Sequence, residues 1–255
     1  MSIVIGSVPY LNGRPLMRWF TDTPQGRASG VSVVEAVPSR LAQMLEKREI
    51  AAALVSSVEL FRAPGLTYAP GCAVIADGAV ESVRVFSKVP VADIRRVALD
   101  TSSLTSVALT KIILRERYGL SPEYVSCPPD LQAMLADADA ALLIGDLGYR
   151  DYGTAYVTLD LGAEWKTLTG LPFVYACWIG YPANLTPELI ALLQTAKEWG
   201  TQNLLAIADA EHTALDETQA RARHYLTDIM RYTMGYREEA ALALFGAKSG
   251  ITETS

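Results

Sequence analysis

Short apolar runs separated by amphipathic stretches set the first expectation for this chain. Ile3-Val4-Ile5, Val31 to Val34, IAAALV (50–55), RRVALD (95–100), EYVSC (123–127), DAALLIGD (139–146) and PFVYACWIGYP (172–182) read as strands. They are too short for free-standing helices, and several are rich in β-branched residues. Between them the apolar positions take helical spacing. Arg14 to Phe20 reads as a helix, and Ser39 to Lys47 places Leu41, Met44 and Leu45 on one face. TSSLTS leads into a helix that runs through Lys111 to Tyr118 and is stopped by Gly119, and PDLQAMLAD reads as a helix opened by a proline. YVTLDLG and AEWKTLTG add a strand and a helix. AVIADGAVESVRVFS (73–87) predicts strand, Asp-Gly turn, strand. Beyond Thr186 the chain reads as helical, with Gly235 and Gly246 as helix-ending positions. The clearest pattern there is Ala222, Tyr225, Leu226, Ile229 and Met230 within one helix from Asp216 to Met234.

Strand–helix alternation predicts α/β layering with mainly parallel sheets. The alternation restarts near Pro90 and runs to about 172, as a unit of its own. This predicts one lobe from residues 1–86 plus 174–255 and an inserted lobe from 87–173. Two hinge strands, near 82–87 and 173–181, would join them, with a ligand cleft between the lobes.

Composition narrows the function. Of 255 residues, 50% are apolar, enough for a large core. The net charge of −6, with no basic stripe, argues against nucleic acid as partner. Three widely spaced cysteines, Cys72, Cys127 and Cys177, lack metal-ligand spacing and read as buried thiols of a reducing compartment. The N-terminus lacks a signal-peptide pattern and no window is apolar enough to span a bilayer, so the expected location is the cytoplasm, without a membrane partner. Only His212 and His224 are available as imidazole bases, both in the helical tail, so a histidine-driven nucleophile has little support. Neither a dinucleotide fingerprint nor a Walker motif occurs, and no metal site is expected.

What remains are polar residues where strands turn into helices. In SVPYLNGRPL (7–16), Asn12 or Gly13 suits a helix cap and Pro15 a first turn; Asn12 equally suits the mouth of a ligand cleft. In ALDTSSLTSVAL (98–109), five hydroxyls, Thr101, Ser102, Ser103, Thr105 and Ser106, gather where a helix begins. One cap needs one hydroxyl; five, with the free N–H groups there, predict a carboxylate or phosphate receptor. Ser56 and Ser57 before VEL, and Asp146 after LLIG, occupy similar junctions, as caps or as further ligand contacts.

Several strings together resemble one family: SVPYLNGRPL, ALVSSVEL, SVRVFSKVP, DTSSLTSVAL, YVSCPPDLQAMLADADAALLIGD and DLGAEWKTLTGLPFVYACW, in order from about residue 3 to 180. They are similar to the menaquinone-biosynthesis chorismate dehydratases (MqnA) of the futalosine route. The resemblance implies a periplasmic-binding-protein-like (type II) two-lobe fold with mixed β-sheets. It implies a carbon–oxygen lyase without metal or organic cofactor, which removes water from chorismate to give 3-[(1-carboxyvinyl)oxy]benzoate. It implies catalytic roles for Asn12 and Ser82. It implies a carboxylate grip from Ser103, Thr105 and Ser106; Tyr10, Ser56, Ser57, Ser102 and Asp146 are the further residues expected beside the substrate. Leu104 departs from the family pattern, which expects an arginine there, and leaves the grip to hydroxyls and backbone. A non-enzymatic receptor for a small carboxylate, the effector lobe of a transcription regulator and the sister enzyme acting on a cyclised futalosine derivative are the competing readings. The sequence does not assign an oligomeric state.

Overall fold

The computed structural model describes residues 3–100, 102, 104–212 and 218–251. Eleven strands form among them: β1 Ile3–Ser7, β2 Val31–Glu35, β3 Ala52–Ser56, β4 Thr67–Ala76, β5 Val83–Ser87, β6 Arg96–Asp100, β7 Glu123–Cys127, β8 Ala140–Ile144, β9 Val157–Asp160, β10 Phe173–Gly180 and β11 Met230–Arg231. The helices are α1 Arg18–Asp22, α2 Pro24–Ala28, α3 Pro38–Glu46, α4 Glu59–Arg62, α5 Leu104–Glu116, α6 Leu131–Asp137, α7 Gly145–Tyr149, α8 Leu161–Thr169, α9 Pro187–Gln202, α10 Leu204–Glu211, α11 Gln219–His224 and α12 Tyr236–Ser249. No helix among the described residues is long and apolar enough to cross a membrane.

The strands make two mixed sheets, and the chain packs into two compact units. The first unit takes the described residues of 3–75 and 174–242, with 251. Its sheet has the order β11-β4-β10-β3-β1-β2. β1 runs parallel to β2 and β3, while β10 runs antiparallel to β3. The central β3 is the run AALVS, buried at its first four positions, as a strand covered on both faces must be. The edge strand β2 is buried only at Val31. One core of this unit gathers Val8, Leu41, Leu45, Ala53, Val55, Ile75, Cys177 and Ile179.

The second unit takes the described residues of 76–173 and 243–250, so the division falls inside α12. Its sheet order is β7-β6-β8-β5-β9. β6 is parallel to β7 and β8, and β5 is antiparallel to β8 and β9. β8, AALLI, is buried throughout. Trp165, Phe173 and Phe245 meet edge to face with ring centroids 5.1–6.4 Å apart, an arrangement that suits aromatic quadrupoles. The indole N–H of Trp165 donates to the Pro172 carbonyl at 2.9 Å, and Gly170 ends α8 at φ 72°, where a residue without a Cβ is at ease. Much of the string LGAEWKTLTGLPF is therefore this corner.

Several expectations change. The apparent hairpin at 73–87 does not form: β4 joins the first sheet and β5 the second. Val83–Ser87 pairs residue for residue with Ile144–Ala140, and that pairing places the strand in the 76–173 unit, where the sequence pattern put it in the outer lobe. The helix expected to run to Met234 stops early. α11 gives way to one π-helical turn, Tyr225–Ile229, and Met230–Arg231 is a strand. Arg14–Phe20 is not one helix but a 3-10 helix, Leu11–Leu16, followed by α1. The cap of α6 is Asp130, whose carboxylate accepts from the Ala133 N–H at 2.9 Å, rather than a proline. Gly246 lies within α12 and not at its end.

Candidate active site

Parallel strands gather the predicted residues at one edge of each sheet. In the first unit β1 and β3 run side by side, with Ser7 opposite Leu54, so the segments that follow them leave the same edge. Those segments are Val8–Asn12 and Ser56–Ser57. Asn12 does not cap a helix. It lies inside the 3-10 helix, whose N-cap position is Tyr10 with no side-chain cap. The half-buried Asn12 instead reaches 213 residues along the chain, its Nδ2 donating to the Tyr225 hydroxyl at 3.3 Å. With Nδ2 committed to protein, Oδ1 is the acceptor end of the amide. Tyr225 is buried and opens the π-helical turn, a local widening often found at functional positions.

Ion pairs and close glycine contacts also hold this turn. Arg14 pairs with Glu35 and, through Nε, with Glu211 at 3.2 Å; Glu211, buried, also pairs with Arg18. Gly200 of α9 lies against the Pro15 carbonyl so closely that a Cβ there would stand 1.8 Å from the oxygen. Gly13 approaches the side chain of Leu54 on β3.

Ser56 is half-buried and Ser57 fully buried. Ser57 is not the cap of α4, whose N-cap position is Val58. Its hydroxyl donates to the Val174 carbonyl at 2.7 Å and its N–H to the Tyr175 carbonyl at 3.0 Å, which ties the end of β3 to β10.

In the second unit, β6 and β8 are parallel neighbours and β5 is antiparallel to β8, so the ends of β6 and β8 and the start of β5 share one edge. The start of α5, Asp146 and Ser82 therefore come together there. Ser102 is exposed, and both its N–H and its hydroxyl donate to the buried Asp100 carboxylate. Thr105 and Ser106 are buried in the first turn of α5, and the Ser106 carbonyl accepts from Thr110 Oγ1 at 2.8 Å. Thr101 and Ser103 lie outside the described residues. Leu104 is half-buried and begins the helix.

Asp146 does not cap α7 either. The cap position is Ile144, Gly145 takes φ 58°, and Asp146 falls in the first turn, a residue partly open to solvent and partly covered by protein. Desolvation by the surrounding protein lifts its carboxyl above the ordinary aspartate range. Ser82 is buried. Its carbonyl lies against Gly148, where a Cβ would stand 2.2 Å away, so α7 sits directly on the Ser82 backbone. Arg84 secures α7 from below, donating to the carbonyls of Gly148 at 2.5 Å and Arg150 at 2.7 Å.

Immediately before Ser82 the backbone is held in an uncommon state. Glu81 has φ 61°. The Asp160 carboxylate accepts from the N–H groups of Val80 (3.0 and 3.1 Å), Glu81 (2.7 Å) and Ala163 (3.0 Å). Sequence reading missed Asp160 and Tyr225. Asp160 fell within the strand string YVTLDLG, which gave no sign of a clamp, and Tyr225 matched the apolar face of a helix. Among the described residues, no group of three or more His, Cys, Asp or Glu side chains is placed to hold a metal ion.

A family model described as menaquinone biosynthesis matches residues 3–249. A chorismate dehydratase of Thermus thermophilus is 32% identical over 267 residues, covering 97% of this chain and 95% of that protein. A chorismate dehydratase of Campylobacter jejuni is 29% identical over 179 residues, covering 68% of this chain and 66% of that protein. Among solved structures, the periplasmic aliphatic sulphonate binding protein SsuA of Escherichia coli superposes with a TM-score of 0.68 at 17% identity, covering 97% of this chain and 85% of that one. The fold is that of the periplasmic binding proteins.

Proposed function

The chain belongs to the menaquinone biosynthesis family, and from that premise we propose that it is a chorismate dehydratase, releasing water from chorismate to leave 3-[(1-carboxyvinyl)oxy]benzoate. The observation that carries this reading is the likeness to the Thermus dehydratase along nearly the whole of both chains. As an enzyme it is a carbon–oxygen lyase working with its own side chains, in the cytoplasm.

The reaction asks little of acid–base strength. The C3–H bond of chorismate supplies the electron pair of a new C3=C4 bond. The C4–O bond breaks, and the departing hydroxyl leaves with the C3 proton as water. The ring becomes aromatic, so the driving force lies in the substrate. Orientation and preplaced dipoles are what the protein must add. Asn12 Oδ1 is the acceptor set toward the C3 proton, directly or through water; the bond from Nδ2 to Tyr225 supports this orientation. Ser82 is the hydrogen-bonding partner of the C4 hydroxyl. Thr105 and Ser106, with Ser103, grip a carboxylate at the start of α5, where the helix dipole favours negative charge, and Ser102 adjoins that grip. Tyr10, Ser56, Ser57 and Asp146 stand beside the substrate.

The test is to dialyse the purified protein against EDTA, add chorismate and follow the ultraviolet spectrum. A benzoate spectrum growing over many turnovers is the expected result. Turnover that appears only when metal is restored would contradict the cofactor-free mechanism. An unchanged chorismate spectrum would contradict the function.

A further inference from the structure

Resting on the reading of Ser82 given above, we propose that Asp160 is a positioning residue for the dehydration: it fixes the Val80–Glu81 backbone and so sets the Ser82 hydroxyl. A helix cap needs one oxygen and one N–H. Asp160 Oδ1 meets that need through the Ala163 N–H at the start of α8. The same carboxylate also takes the N–H groups of Val80 and Glu81, some eighty residues earlier, the latter at 2.7 Å through Oδ2. The cap gains nothing from these two bonds. What they hold is Glu81 at φ 61°, a region that residues with a Cβ avoid.

The next residue is Ser82, and its other side is fixed as well. Its carbonyl is pressed against Gly148 of α7, and Val83 enters the ladder opposite Ile144. Asp160 on one side and α7 on the other therefore define where the Ser82 side chain leaves the backbone. Uncommon backbone geometry persists only where its surroundings determine it from several directions, and such positions cluster at reacting sites. Charge strengthens the clamp, since a carboxylate accepting from N–H groups makes shorter and stronger bonds than a neutral oxygen.

The experiment uses the full chain and steady-state kinetics with chorismate. Asp160→Asn is isosteric: its Oδ1 keeps the bonds to Ala163 and Val80, while an amino group replaces the oxygen that Glu81 donates to. The expected result is kcat lower by about 10–100-fold, the scale of a small misplacement of a reacting group. KM should stay within about threefold, because little ground-state binding is lost. In a Ser82→Ala background the same change should cost less than about threefold, since it would act through a hydroxyl already removed. Adding Glu81→Gly to Asp160→Asn should recover much of the loss, because glycine takes positive φ without a clamp.

Equal loss from Asp160→Asn in both backgrounds would overturn the inference, leaving Asp160 as a cap alone. Normal kcat in Asp160→Asn with slow Ser82→Ala would do the same while sparing the reading of Ser82. Normal turnover in Ser82→Ala would remove that reading, and this inference with it. If Asp160→Asn gives no cooperative melt, Glu81→Val serves instead, since it keeps the cap and disfavours positive φ. It should show the same fall in kcat, and normal turnover there would overturn the inference.

Discussion

The Asn12 amide donates through Nδ2 to a buried tyrosine hydroxyl, an orientation that offers Oδ1 to a substrate. Asn12→Ala removes the acceptor and should lower kcat at saturating chorismate by about 10²–10³-fold, the usual cost of one preplaced polar group. Near-normal turnover would take Asn12 out of the mechanism. Tyr225→Phe keeps the ring and deletes the oxygen that receives Nδ2. It should lower kcat several-fold with KM little changed, because the amide is then free to rotate; a loss in KM alone would point to a packing role. Asp146 supplies the pH test. Its folded-state pKa is raised by desolvation, so the charged form costs stability above that pKa. Asp146→Asn should therefore melt higher than the parent near pH 7, with the gain shrinking as pH falls through the raised pKa and gone below the unfolded value of about 3.9. A gain constant with pH, measured by thermal melts across that range, would contradict this. Residue types at strand ends were legible in the sequence. What Asn12 bonds to was not, since its partner lies 213 residues away and fitted the apolar face of a helix.

At the scale of elements, two glycines let helices press on the candidate residues. Gly148 brings α7 onto the Ser82 carbonyl, and Gly200 brings α9 onto Pro15 of the Asn12 turn. A methyl group at either position would meet backbone oxygen, which cannot rotate away. Overpacking of this kind costs about 1–3 kcal/mol. Gly148→Ala should lower the melting midpoint by several degrees and slow turnover through Ser82; Gly200→Ala should do both through Asn12. A variant with normal stability and normal kcat at either position would contradict the tight packing. Strands buried on both faces, such as β3 and β8, were plain in the sequence because they are unbroken apolar runs. The connection from β4 to β5 was not. Asp77-Gly78 between two apolar runs carries a hairpin signal, but hydrogen bonds donated to Asp160 and pairing with β8 take the second run into another sheet. The π-helical turn was equally hidden, because Tyr225, Leu226 and Ile229 satisfy the α-helical period that the extra residue interrupts.

For the whole molecule, the division into two units follows from where the sheets close rather than from a shift in composition. The restart of the strand–helix alternation signalled a second unit, while α12 contributing residues to both units had no sequence signature. The three thiols are free, and Cys72 and Cys177 are buried. Burial pushes Cys72 up to about 12 and Cys177 well above an ordinary thiol, which keeps both protonated and unreactive near neutral pH. Alkylation of the native protein near pH 8 should thus label Cys127 first, with the other two labelled only on unfolding; rapid native labelling of Cys72 would contradict the packing of the first unit. The central claim is that this chain transforms chorismate and does not merely hold it, and the shared fold makes holding the natural rival. Mixing stoichiometric protein and chorismate, quenching with acid at intervals and weighing the released small molecule by mass spectrometry separates the two. Complete conversion to a species lighter by one water is the expected result. Chorismate recovered intact from a complex with the protein would contradict it.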